Sequence, residues 1–205
     1  MPMLSRLPLI IVTLCSLAAC AKTPPQNVSN ACDIFEEKRS WYRATKKAQK
    51  RWGMPKSLQL AIIRQESGFD ASAKPKRGKF LFVFPGKRKS SARGYPQALD
   101  GTWDQYKKSA GNRGASRKNF RDAADFVAWY GAESRRRNGI SLSDGYRQYL
   151  AYHEGWAGYA RGTYRRKSTL KRAARIVDST ARNYQAQLSR CEKRFNRGIP
   201  LIPFI

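Results

Sequence analysis

Three observations predict a mostly α-helical single domain with one small β-hairpin insertion. Apolar residues recur at helical spacing along most of the chain. One short stretch, Phe80-Leu81-Phe82-Val83-Phe84, breaks that spacing between basic flanks. The chain beyond the N-terminal leader, about 185 residues, is enough for one hydrophobic core and not obviously for two.

Met1 to Arg6 carries one positive charge, and Leu7 to Ala19 is an apolar run too short to span a bilayer comfortably. Residues 1–19 therefore read as a signal peptide. The small-residue context Leu17-Ala18-Ala19-Cys20 resembles the lipobox at which bacterial lipoproteins are cleaved and acylated, which makes Cys20 the expected lipidation site; an ordinary cleaved leader and an uncleaved anchor are the alternatives. Ala21 after that cysteine fits delivery to the outer membrane, so the expected location is the periplasm, anchored in the inner leaflet of the outer membrane. Residues 20–30, with two prolines and small polar side chains, read as a tether, and residues 31–205 as the domain. Export makes a disulfide between Cys32 and Cys191 the expected state, against two buried thiols.

Within the domain, Ile34, Phe35, Trp41, Tyr42, Ala48 and Trp52 predict one amphipathic helix from Cys32 to Trp52, stopped by Gly53. Pro55 opens a second, on which Leu58, Ala61, Ile62 and Gln65 share a face and Glu66 falls in the last turn before Gly68. Further helices are predicted around Thr102 to Ser109, from Phe120 to Asn138, from Ser143 to Tyr152 and from Ser168 to Lys193. The stretches Gly68 to Gln97 and His153 to Gly162 are left as loops able to build a cleft.

Three short stretches carry chemistry. Ala61-Ile62-Ile63-Arg64-Gln65-Glu66-Ser67-Gly68-Phe69-Asp70 resembles the catalytic glutamate-serine motif of the soluble lytic transglycosylase (SLT) family, which has a lysozyme-like fold. Gly94-Tyr95-Pro96-Gln97 stands where that family has Gly-Leu-Met-Gln, and Ala151-Tyr152-His153-Glu154-Gly155 is similar to its Ala-Tyr-Asn-Ala-Gly motif. Any one alone is weak; the three in this order are specific, over roughly Leu58 to Tyr164. The resemblance implies cleavage of the bond between N-acetylmuramic acid and N-acetylglucosamine to give 1,6-anhydromuramoyl products, with Glu66 as acid and base. It also implies that Ser67 contacts the N-acetyl group, that Gln97 lines the cleft, and that Tyr152 hydrogen-bonds near the acid. Tyr95 and Glu154 are further candidate substrate contacts, His153-Glu154 standing where the family commonly has Asn-Ala. Glu154 stands open between a second catalytic carboxylate, a contact for the peptide stem and a solvated side chain.

The chemistry agrees with those residue types. Glycosidic cleavage needs a carboxyl that stays protonated near neutral pH. Burial by Ile62, Ile63 and Phe69, together with a helix C-terminus, pushes the Glu66 pKa upward. Trp103, Trp129 and Trp156 can stack on sugars, although aromatic residues are more often core.

With 41 Lys and Arg against 14 Asp and Glu, the formal charge is +27. That field attracts polyanions. Routing to the envelope makes peptidoglycan strands and anionic envelope polymers the expected partners, with a lipid anchor to the membrane and no nucleic acid. His153 is the only histidine, no phosphate-binding or nucleotide motif is present, and neither metal nor cofactor is expected. The competing functions are a hydrolytic muramidase, in which Glu154 or Asp70 positions water, and a non-catalytic basic wall-binding lipoprotein.

Overall fold

The computed structural model describes residues 23–75, 77–80, 84–88 and 90–196. The predicted leader, Cys20 and the tip of the Phe80 to Phe84 segment lie outside the described residues. The described chain is mostly helical, as predicted. Its helices are α1 (Ala31–Glu37), α2 (Arg39–Trp52), α3 (Lys56–Ser67), α4 (Asp100–Ser109), α5 (Phe120–Asn138), α6 (Gly145–Ala160) and α7 (Ser168–Asn196), with a 3-10 turn at Thr163–Arg166. Between α3 and α4, β1 (Arg77–Phe80) and β2 (Phe84–Arg88) form an antiparallel hairpin in which Arg77 faces Arg88 and Phe80 faces Phe84.

The central element is α3. Every residue from Ser57 to Ile63 is buried, so this helix is enclosed on all sides, as a core helix must be. It packs on α7, α2 and α5. On α7 the buried residues Leu170, Ala174, Val177, Ala181, Tyr184, Leu188, Cys191 and Phe195 recur every three or four positions and draw one apolar stripe along a 29-residue helix. The α2–α5 contact is aromatic: Trp41 lies flat on Phe120 with ring centroids 3.8 Å apart. The Gln59 amide nitrogen donates to the carbonyls of Met54 and Thr45 at 2.9 and 3.2 Å and stitches the α2–α3 turn, while its Oε1 is buried without a partner among the described residues.

Two predicted boundaries differ from what is observed. The predicted helix from Cys32 to Trp52 is two helices, broken at Lys38 (φ −119°, ψ 65°). The two halves serve different neighbours. Cys32 and Phe35 hold α1 to α7, Phe35 meeting Phe195 at 6.0 Å, while Trp41 pulls α2 toward α5. Likewise His153 to Gly162 is not a loop, because α6 runs on to Ala160 with a break at Gly155 (φ 74°, ψ 158°). Stacking of Trp156 on Tyr130 at 4.5 Å holds the continuation in place.

Cys32 and Cys191 are joined by a disulfide across a sequence separation of 159 residues. Constraining so long a loop in the unfolded chain is worth about 2–5 kcal/mol. The Cys32→Ser/Cys191→Ser variant should therefore unfold at a clearly lower urea concentration than the oxidised protein, and equal midpoints would show that the bridge contributes nothing.

Candidate active site

The geometry around Glu66 starts from how α3 ends. Gly68 (φ 58°) caps the helix in the left-handed conformation, and Phe69 follows with φ 66°. A bulky residue in that region is strained. Its compensation is burial: Phe69 is fully enclosed against Trp41, ring centroids 5.5 Å apart. The chain thus turns sharply away after the last turn of α3, and Glu66, which is half-buried, faces α6.

Two tyrosines of α6 face the carboxyl, Tyr149 and Tyr152, spaced three apart on one side of the helix. Packing against protein on most sides raises the Glu66 pKa from 4.5 to about 7, and a hydrogen bond from the Tyr149 phenol opposes that rise. Its place in the last turn of α3 adds a dipole that also disfavours the anion. Near neutral pH the carboxyl is therefore divided between its acid and base forms.

The second sequence stretch meets the same place. The Tyr152 hydroxyl donates to the Pro96 carbonyl at 2.6 Å, which fastens the Gly94 to Gln97 turn to α6. Burial, and then the neighbouring Glu66 charge, push that phenol well above its ordinary pKa, so it remains a donor. Gly94 has φ 70°, and a Cβ there would stand 2.2 Å from the Arg117 carbonyl oxygen, so only glycine fits. Arg117 holds the turn from outside: its carbonyl accepts from the Tyr95 amide at 3.0 Å, and its guanidinium donates to the Ala98 carbonyl at 2.7 Å and pairs with Asp100. Gln97 also has positive φ (46°). Its amide nitrogen is committed to the carbonyls of Gly94 and Ala73 at 2.8 and 3.0 Å, which leaves Oε1 as the atom that can face a ligand. Ser67 donates to the Ile63 carbonyl at 3.1 Å, so its hydroxyl oxygen can accept but its proton is used.

Two residues expected to touch substrate have other surroundings. Tyr95 is 2% exposed and packs edge-on against Trp41 and Phe120 at 5.6 and 5.4 Å, so its ring belongs to the core. Glu154 is neither solvated nor free. Burial works to raise its pKa, but Lys167 (2.8 and 2.9 Å), Thr163 and His153 (3.1 Å) outweigh that and hold it down at about 2. It clamps the 3-10 turn onto α6. Of the tryptophans, Trp103 and Trp129 are core, while Trp156 is sandwiched between Tyr130 and the Arg137 guanidinium, 4.3 Å away. Asp70 accepts from the amide and hydroxyl of Ser72, each at 2.7 Å.

Sequence reading missed Tyr149. The signal was there, a second tyrosine one turn before Tyr152, yet periodicity alone makes it core, and only the approach of α3 gives it a carboxyl to serve. Among the described residues no group of three or more His, Cys, Asp or Glu side chains could hold a metal ion. The three stretches that carry the sequence resemblance are thus brought together around one carboxyl.

A comparison with curated proteins finds no match. The family profile described as the transglycosylase SLT domain matches residues 8–191, and the chain belongs to that family.

Proposed function

We propose that this protein is a lytic transglycosylase of peptidoglycan in which Glu66 alone serves as acid and base. The observation that carries the reading is a carboxyl with pKa about 7, set at the end of a core helix and faced by two tyrosines of α6. Membership in the SLT family directs that chemistry to glycan strands. Protonated Glu66 delivers its proton to the glycosidic oxygen as the bond to C1 of the muramoyl sugar breaks. The resulting carboxylate takes the proton of the C6 hydroxyl, whose oxygen bonds to C1 and closes the 1,6-anhydro ring. No water is consumed, and Glu66 ends the cycle protonated. A pKa near the working pH suits a group that must both give and take a proton. Ser67 Oγ and Gln97 Oε1 are the acceptors available to hold the sugar. Cys20 acylation and attachment to the outer membrane complete the proposal on the strength of the leader alone.

Hydrolysis needs a second carboxylate to activate water. The candidates here are occupied: Glu154 by Lys167, Thr163 and His153, and Asp70 by Ser72. Muropeptides released from purified sacculi should accordingly be lighter by one water than muramidase products. Glu66→Gln should lower the rate by about two to four orders of magnitude. Fragments of hydrolytic mass would replace the reading with a muramidase, and no release by the wild-type protein would leave a wall-binding protein.

The same carboxyl should be visible in stability. Its folded pKa of about 7 exceeds the ordinary 4.5, so the unfolded chain loses this proton first and the Glu66 contribution to stability falls as pH rises between those values. Glu66→Gln removes that loss. It should melt with the wild type at pH 4 and above it at pH 8, by up to about 3 kcal/mol. A variant less stable at pH 8 than at pH 4, relative to wild type, would mean that Glu66 is not held protonated.

Tyr149 stabilises the ionised form by its hydrogen bond. Tyr149→Phe should shift the alkaline limb of the pH–rate profile to higher pH, and an unmoved limb would remove Tyr149 from the titration of Glu66.

A further inference from the structure

We propose that the cleft between α6 and the start of α7 binds a carboxylate of the peptide stem carried by a muramoyl sugar next to Glu66, an inference that rests on the glycan-cleaving reading above. The cleft has a volume of about 510 Å³, and its lining includes Tyr149, His153, Arg166, Lys167, Ser168 and Thr169. That size is in the range of clefts that hold small ligands. Three of these side chains are basic, three bear hydroxyls, and the lining contains no carboxylate.

The three basic side chains are not equivalent. Glu154 already accepts from Lys167 at 2.8 and 2.9 Å and pairs with His153 at 3.1 Å. Arg166 is exposed and has no acidic partner among the described residues. A guanidinium presents two parallel donors that fit a carboxylate, and an arginine without a counter-ion in a lined cleft is poised for one. The pairing of Glu154 with Lys167 and Thr163 fixes the backbone turn that carries Arg166.

Position relative to the chemistry selects the ligand. Tyr149 lines this cleft and hydrogen-bonds to Glu66, so one side chain separates the two. In peptidoglycan the anionic groups attached to a muramoyl ring are the carboxylates of its peptide stem, which leaves the sugar through the lactyl ether and projects away from the glycan axis. A strand with its scissile bond at Glu66 carries such a stem within reach of the cleft.

The test separates binding from cleavage. Full-chain Glu66→Gln is titrated with soluble glycan oligomers that retain their stems and with the same oligomers stripped by an amidase, the lactyl carboxylates that stripping frees then being capped as neutral methylamides. Stem-bearing strands should bind about tenfold more tightly, the scale of one charge-assisted hydrogen bond. Adding Arg166→Ala should erase that ratio, and adding Arg166→Lys should retain part of it. Equal affinity for the two strands in Glu66→Gln, or a stem preference that survives Arg166→Ala, would overturn the proposal. Failure of the transglycosylase reading shows elsewhere, as wild-type protein that makes no anhydromuramoyl ends from either strand while the binding ratio persists.

Discussion

A chain with 41 basic residues keeps positive charge away from one carboxyl, and the rest of the site depends on that exclusion. A cation within about 4–6 Å lowers a carboxylate pKa by one to three units, which would leave Glu66 ionised and unable to act as an acid at neutral pH. Its pKa is moved instead by its own burial and by the Tyr149 phenol. Arg64, two residues away in sequence, is turned toward α7, where its guanidinium donates to the Tyr184 hydroxyl at 3.2 Å. The basic surplus is kept on outer faces: the Arg135 to Arg137 run closes α5, with Arg136 and Arg137 paired to Glu133, and Lys167 is spent on Glu154.

Holding that carboxyl in a protected place costs backbone strain, and the strain is confined to the site. Among the described residues the two non-glycine residues with positive φ are Phe69 and Gln97. One follows the last turn of α3, which carries Glu66, and the other ends the turn that α6 grips through Tyr152. Each is held by surroundings that determine it: Phe69 by full burial against Trp41, Gln97 by two side-chain hydrogen bonds to backbone carbonyls. Gly94 completes the pattern, since the Arg117 carbonyl occupies the space a side chain would need. Strain of this kind persists only in a rigid frame, and the frame here is the buried α3, flanked by α7 and α5.

Much of this was legible in the residues. Helix stops at Gly53 and Gly68 follow from left-handed glycine caps, and the predicted helix from Ser168 to Lys193 ends close to the observed α7. The mostly α class with a hairpin insertion needed no more than periodicity. What could not be read is what partners decide. Lys38 breaks a continuous helical pattern because Cys32 and Trp41 are drawn to different helices, a conflict that exists only once α5 and α7 are in place. Tyr95 and Tyr149 exchange roles for the same reason. Both are tyrosines near a motif, yet Tyr95 turns into the Trp41 and Phe120 cluster while Tyr149 meets the end of α3, and no local pattern distinguishes them.

The two glutamates near α6 show how environment assigns chemistry. Glu66 and Glu154 start from the same side chain and end with pKa values of about 7 and about 2. Both are desolvated; the difference is that Glu154 receives Lys167, Thr163 and His153, whereas Glu66 receives a single phenol. A carboxylate locked as an ion pair supplies neither a proton nor a base at neutral pH, so the division of labour between two carboxyls that hydrolases use is absent from this neighbourhood. With one carboxyl of intermediate pKa, the nucleophile has to bring a proton that the same group can take back. In the proposed transglycosylase cycle an alcohol of the substrate itself, beside C1, meets that requirement without a second base.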